Sequence, residues 1–136
     1  MLFLGTMAVL AAACGGAETA SPTDIVPVSP PPPSTDLTIT APLGSSTSGF
    51  AETNLAVPAD TSFSITFLND DEGIPHNVQI FEGTTTTTTP LWAPDGNAMI
   101  TGVDQVTYDV PALPAGTYAY NCFSHPVTMV GTLTAV

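Results

Sequence analysis

The chain has 136 residues, 43% of them hydrophobic, so it is long enough for one domain with its own core and some flanking sequence. It contains no Lys or Arg against 12 Asp and Glu, which gives a formal net charge of -12 at pH 7. Binding to nucleic acid through phosphate contacts needs cationic side chains and is therefore excluded, whereas a partner protein with a basic face is favoured.

The first 13 residues are almost all apolar or small, and Cys14 follows them directly after Leu10-Ala11-Ala12-Ala13. This segment resembles the apolar region and lipobox of bacterial lipoprotein signal peptides, in which the cysteine carries the lipid. It departs from them at Ala11, where an aliphatic residue is usual, and in having no Lys or Arg before the apolar run. We predict a signal peptide over 1–13 and membrane contact only through a lipid anchor on Cys14. An ordinary apolar helix or strand is the alternative.

Residues 14–35 are rich in Gly, Ser, Thr and Pro, with consecutive prolines from Pro30 to Pro33. Proline-rich segments favour the extended polyproline II conformation and act as semi-rigid spacers. We interpret this segment as a linker between the anchor cysteine and a globular domain over 36–136. A disordered tail without a particular role is the alternative.

From residue 36 onwards, short segments alternate apolar with polar residues, which is typical of half-buried β-strands. The predicted strands are, in chain order, 37–41, 55–57, 63–67, 76–81, 106–110, 117–122 and 131–136. Gly- and Pro-containing segments separate them, and no stretch has the sustained period of 3.6 residues that would indicate a helix. The pattern predicts an all-β fold, a Greek-key β-sandwich of seven to eight strands.

Four side chains in this domain suit a soft metal ion. Cys122, His125 and Met129 follow the pattern C-x2-H-x3-M between the last two predicted strands, and His76 is the only other histidine. Each of them alone is more often a structural residue. Together, a thiolate, two imidazoles and a weak axial thioether are the ligand set of a blue-copper site. Zinc remains the competing metal, although its fourth ligand is normally harder than a thioether.

The segments that contain these residues resemble plastocyanin-type cupredoxins, which are small type 1 copper proteins. The matching motifs are Pro75-His76-Asn77-Val78, Leu113 to Tyr118 with Tyr120-Asn121-Cys122, His125-Pro126, and Met129-Val130-Gly131. The resemblance covers 36–136 and implies the cupredoxin fold, with one copper ion bound by His76, Cys122, His125 and Met129. It also implies that Asn77 ties the two ligand segments together and directs its N–H at the cysteine sulfur.

The same resemblance implies a one-electron carrier that works between redox partners outside the cytoplasm, as a monomer and not as an enzyme. The ring edge of His125 is the expected electron port. Two alternatives remain: a copper storage, trafficking or resistance protein with the same ligands, and a metal-free β-sandwich adhesion module. In the second case, His125 and Met129 would have no joint role.

Two further expectations concern single positions. Asp70, Asp71 and Glu72 are adjacent in a chain without basic partners, so their mutual repulsion predicts that the metal-free domain gains stability as the pH falls. Ser124 stands where several plastocyanin-like proteins have proline, so its N–H is available to the thiolate.

Overall fold

The computed structural model describes residues 29–136, and the predicted signal peptide and Cys14 lie outside them. The strands are β1 (Asp36–Ala41), β2 (Asn54–Val57), β3 (Phe63–Asn69), β4 (Pro75–His76), β5 (Gln79–Glu82), β6 (Ile100–Thr101), β7 (Asp104–Val110), β8 (Gly116–Asn121) and β9 (Val130–Ala135). A four-residue helix, α1 (Ser45–Ser48), follows β1, and a 3-10 turn spans Asp95–Asn97. Within this part of the chain, no helix has the length and apolar character needed to cross a bilayer.

Two sheets make up the domain. The first has the strand order β1-β3-β7, in which β1 is parallel and β7 antiparallel to β3. The second has the order β2-β9-β8-β5, in which β2 is parallel to β9 and the other pairs are antiparallel. A small ribbon of β4 and β6 lies apart from both. The predicted all-β sandwich is confirmed, and seven of these strands have four residues or more.

The core lies between the two sheets and follows from the alternation in the sequence. In β3, Phe63, Ile65 and Phe67 are buried, while the residues between them are only partly covered. Tyr120 of β8 and Leu133 of β9 join the same apolar cluster from the other sheet. Because successive side chains in a strand point to opposite faces, a slip of one residue would expose this whole set, and the register is therefore well determined.

One predicted strand, 76–81, is two strands in the structure. His76 pairs with Ile100 in the β4–β6 ribbon, whereas Gln79 pairs with Asn121 in the second sheet. The change of pairing partner, from β6 to β8, occurs at Asn77 and Val78, both of which are fully buried. The interruption places His76 at the end of the sandwich, next to the C-terminus of β8.

Tyr120 is the largest fully buried side chain, and it lies across the sheet from Gly131 in the β8–β9 register. Its hydroxyl donates a 2.6 Å hydrogen bond to the backbone carbonyl of Glu52. Burial, and secondarily the Glu52 charge, raises the pKa of Tyr120 above its ordinary value of 10.0. A Cβ on residue 131 would overlap the tyrosine ring. The glycine is therefore required by close packing.

Candidate metal centre

The segment from Cys122 to Met129 connects β8 to β9 and is folded tightly on itself by three backbone hydrogen bonds. The Cys122 N–H donates to the Met129 carbonyl at 3.1 Å, the His125 N–H to the Cys122 carbonyl at 3.3 Å, and the Met129 N–H to the His125 carbonyl at 3.0 Å. Cys122 is a fully buried free thiol, and His125 is half-buried. The loop therefore presents its thiol inward and one imidazole near the surface.

His76 reaches this loop from the other sequence segment because Gln79 of β5 pairs with Asn121 of β8. The Phe123 N–H donates to the Asn77 side-chain oxygen at 2.9 Å. The Asn77 amide nitrogen in turn donates to the Asn97 carbonyl at 3.2 Å. The predicted tie between the two ligand segments is therefore present, and it runs through a fully buried asparagine.

Three of the predicted ligands converge. The Cys122 sulfur lies 3.6 Å from Nδ1 of His76 and 4.0 Å from Nδ1 of His125, and the three donor atoms lie within 4.8 Å of one another. Metal–sulfur and metal–nitrogen bonds of about 2.3 and 2.0 Å, at about 120° to each other, place the two donors about 3.7 Å apart. The spacing therefore fits one ion held by all three atoms. One thiolate and two imidazoles form the equatorial donor set of a type 1 copper site.

Met129 is fully buried and belongs to the hydrophobic core. Its backbone closes the ligand loop through the hydrogen bonds to Cys122 and His125. These hydrogen bonds fix the position of Met129 at the end of the ligand loop. Its assignment as the axial ligand stays a prediction.

Asp71 and Ser45, which the sequence did not predict to belong to the metal centre, lie against the other side of the His76 ring. The Nε2 atom of His76 lies 3.0 Å from the Asp71 carboxylate and 3.0 Å from the Ser45 hydroxyl. All three side chains are buried, and the Ser45 hydroxyl also donates to Asp71 at 3.1 Å. The only sequence signal was an acidic residue five positions before a candidate ligand. Ser45 comes from a distant turn and had no such signal.

The expectation that the acidic turn would repel itself is wrong for Asp71, which points into the protein. Its hydrogen bond with His76, followed by those from the Gly44 N–H and Ser45, lowers the pKa of Asp71 despite the opposing effect of burial. The unfolded carboxyl therefore binds protons more tightly than the folded one. Its contribution to stability is present above the unfolded-state pKa, near 3.8, and is lost as the pH falls through the lower folded-state value.

We expect the metal-free protein to lose more stability between about pH 5 and pH 3 than its Asp71→Asn variant, because only the wild type loses the Asp71 carboxylate there. Thermal unfolding followed by circular dichroism at several pH values gives the difference between the two proteins. The other carboxylates are common to both proteins, so the effect of their protonation on stability cancels in this difference. A difference that grows in favour of the wild type towards acid pH would contradict the assignment.

The expected backbone donors to the cysteine sulfur are absent: within residues 29–136, neither the Asn77 nor the Ser124 N–H is hydrogen-bonded to the Cys122 sulfur. Ser124 is exposed, and its hydroxyl donates to the Met99 sulfur at 3.1 Å. The hydroxyl thus connects the outer side of the loop to the segment before β6.

No known family pattern matches the chain, and no curated protein does. Solved structures do match. An auracyanin from the photosynthetic bacterium Roseiflexus castenholzii, in its dithionite-reduced form, superposes with a TM-score of 0.64 at 20% identity, over 76% of this chain and 98% of that one. Auracyanin A, a "blue" copper protein from Chloroflexus aurantiacus, gives 0.60 at 21% identity, over 74% and 98%.

A purple cupredoxin from Nitrosopumilus maritimus gives a TM-score of 0.52 at 25% identity, over 74% of this chain and 100% of that one. Each of these structures is thus covered almost completely by the described sandwich. The likeness establishes the fold, and the three converging donors are a property of this chain's own residues.

Proposed function

We propose that this chain, which has the cupredoxin fold, is a mononuclear type 1 copper protein that carries single electrons between redox partners outside the cytoplasm. The observation that carries the proposal is the convergence of the Cys122 sulfur with the Nδ1 atoms of His76 and His125. Thiolate and imidazole donors suit copper, and the fold is shared with a "blue" copper protein.

A bound copper ion would supply one-electron exchange between its Cu(I) and Cu(II) states. The protein's part is to keep the donors in one arrangement that serves both states. Cys122 and His125 are fixed by the backbone hydrogen bonds of their loop, and His76 by the β4–β6 ribbon and its buried polar partners. Because backbone hydrogen bonds fix the loop and a strand pairing fixes His76, we expect little rearrangement of the donors on electron transfer.

The two histidines differ in exposure, and this difference suggests the route for electrons. The His76 side chain is fully buried, whereas the His125 ring is only half-buried. Phe123 and Val127, on either side of His125 in sequence, are exposed apolar residues. We assign the His125 edge as the electron port. Exchange at a ring edge needs no open coordination position for a substrate, so we propose a carrier and not an enzyme.

The partner is proposed to present a basic face. The chain has no Lys or Arg and a net charge of -12, so attraction to such a face would speed association and weaken as salt is added. The monomeric state, the location outside the cytoplasm and the lipid anchor at Cys14 stay predictions. The anchor lies outside the described residues.

Addition of one equivalent of Cu(II) to the purified protein tests the proposal. We expect an intense blue thiolate-to-copper absorption band that saturates at one copper per chain, and reversible voltammetry of the product. A colourless protein that retains copper as Cu(I) would favour storage or trafficking instead. A protein that retains no copper would remove the metal site altogether.

The axial position is tested by Met129→Gln. If Met129 is the weak fourth ligand, the variant should stay coloured and have a lower reduction potential, because an amide oxygen is harder than a thioether and favours Cu(II). Voltammetry of the two proteins in the same buffer measures the shift. An unchanged potential in Met129→Gln would mean that Met129 packs in the core and does not bind the metal.

A further inference from the structure

We propose that Asp71 is the positioning residue of the metal centre: its buried carboxylate holds His76 with Nδ1 facing the metal and biases the bound copper towards Cu(II). This inference rests on the proposed function. It adds a residue that acts through the ligand histidine and has no direct contact with the metal position.

The geometry of the contact determines which imidazole nitrogen is free. An ionised carboxylate has no hydrogen to donate, so the 3.0 Å contact between Asp71 and Nε2 of His76 requires that Nε2 carries the hydrogen. The Ser45 hydroxyl donates its own hydrogen to Asp71, so its oxygen can accept from the same Nε2–H at 3.0 Å. The Nδ1 atom is thereby left with its lone pair, and Nδ1 is the atom that faces the Cys122 sulfur at 3.6 Å.

Asp71 is itself held in place by the backbone. The Gly44 N–H donates to its second carboxylate oxygen at 2.8 Å, and the Asp71 N–H donates to the Asn69 side chain at 3.1 Å. The Asn69 amide nitrogen also donates to the carbonyls of Ile74 and Ile100, at 2.8 Å each. Within the turn from Asn69 to His76, the side chains of Asn69, Asp71 and His76 are therefore buried and joined by hydrogen bonds, whereas Asp70 and residues 72–75 are exposed.

The electronic consequence follows from hydrogen bonding to a charged acceptor. A carboxylate that accepts from the remote N–H of a ligating histidine fixes its ring orientation and makes its other nitrogen a stronger donor. A stronger nitrogen donor stabilises Cu(II) more than Cu(I). The chain has no Lys or Arg that could compete with His76 for the charge of Asp71. The bias therefore lowers the reduction potential.

The test compares the copper-loaded wild type with Asp71→Asn and with Asp70→Asn. The second variant is the matched control, because Asp70 is the adjacent carboxylate but is exposed, and its removal changes the net charge equally. Loss of such a partner typically weakens metal binding by about 10- to 100-fold. We expect Asp71→Asn to lose at least tenfold in Cu(II) affinity with a smaller change for Cu(I). Each tenfold loss of Cu(II) affinity relative to Cu(I) affinity raises the reduction potential by about 59 mV.

A second measurement needs no variant. In the diamagnetic Cu(I) protein, the Nε2–H proton of His76 should appear downfield in the NMR spectrum and exchange slowly with water. A proton that exchanges freely would overturn the proposal even if Asp71→Asn cannot be produced in folded form.

The outcomes separate this inference from the proposed function. A blue wild type in which Asp71→Asn and Asp70→Asn shift the potential equally, or not at all, would overturn the role of Asp71 alone. Equal losses of Cu(I) and Cu(II) affinity would mean that Asp71 only supports the fold. A wild type that binds no copper would overturn both.

Discussion

Replacement of Cys122 by serine is expected to abolish the blue absorption band completely. The band requires charge transfer from a thiolate sulfur to Cu(II), and Cys122 is the only cysteine within residues 29–136. The hydroxyl of serine is nearly the same size but is neither deprotonated near neutral pH nor soft enough to replace the thiolate. The two imidazoles could still hold a metal ion weakly, so we expect colourless or pale protein and not the absence of all binding.

The matched control is Ser124→Ala, two residues further along the same loop. It removes only the exposed hydroxyl that contacts the Met99 sulfur, and it should leave the colour unchanged. Absorption spectra and copper content of the three proteins provide the comparison. A Cys122→Ser protein with an undiminished blue band would refute the ligand assignment.

Gly131→Ala is expected to produce one of the largest losses of stability available from a single methyl group. The added Cβ would overlap the ring of Tyr120, which is fully buried and held at its hydroxyl by the Glu52 carbonyl. The ring cannot move without giving up that hydrogen bond. Overpacking of this kind costs about 1–3 kcal/mol. For a domain of this size, each kcal/mol lowers the melting temperature by roughly 4–8 °C.

Gly116→Ala serves as the control, because Gly116 also lies in a strand of the same sheet but an added Cβ there would overlap no neighbouring atom. A Cβ there would meet the Tyr118 side chain at 3.7 Å, an ordinary contact distance. We expect a melting temperature equal to that of the wild type or slightly above it. Equal melting temperatures for Gly131→Ala and Gly116→Ala would show that Tyr120 adjusts freely.

The strands and the ligand loop could be predicted from the sequence because each is encoded in a short segment, whereas His76 stood out as the only histidine outside that loop. In a strand such as β3, the period-two alternation of Phe63, Ile65 and Phe67 with polar residues is a local signal. Cys122 and His125 likewise fall within one loop. The sequence pattern therefore determined which segments are strands and which residues are candidate ligands.

What could not be predicted depends on contacts between distant segments. The break between β4 and β5 exists because His76 and Gln79 pair with different partners, and nothing in their own composition indicates this. Asp71 looked like part of an exposed acidic turn, yet it is buried because Ser45 and Gly44 fold over it from far upstream. Burial of a polar residue by a distant turn leaves no periodic trace in the sequence.

The helix α1 is in contact with both halves of the centre. Ser45 contacts His76 at a separation of 31 residues, and the Ser46 carbonyl accepts a 2.7 Å hydrogen bond from Thr128, 82 residues away. The Cys122 and His76 donors are themselves 46 residues apart. Contacts of such long range cannot form until the loop-closure entropy of the intervening chain has been overcome. The complete donor geometry should therefore exist only in the folded domain, and an incompletely folded chain should present scattered donors that bind copper weakly. We therefore expect the metal to bind tightly only once the domain has folded.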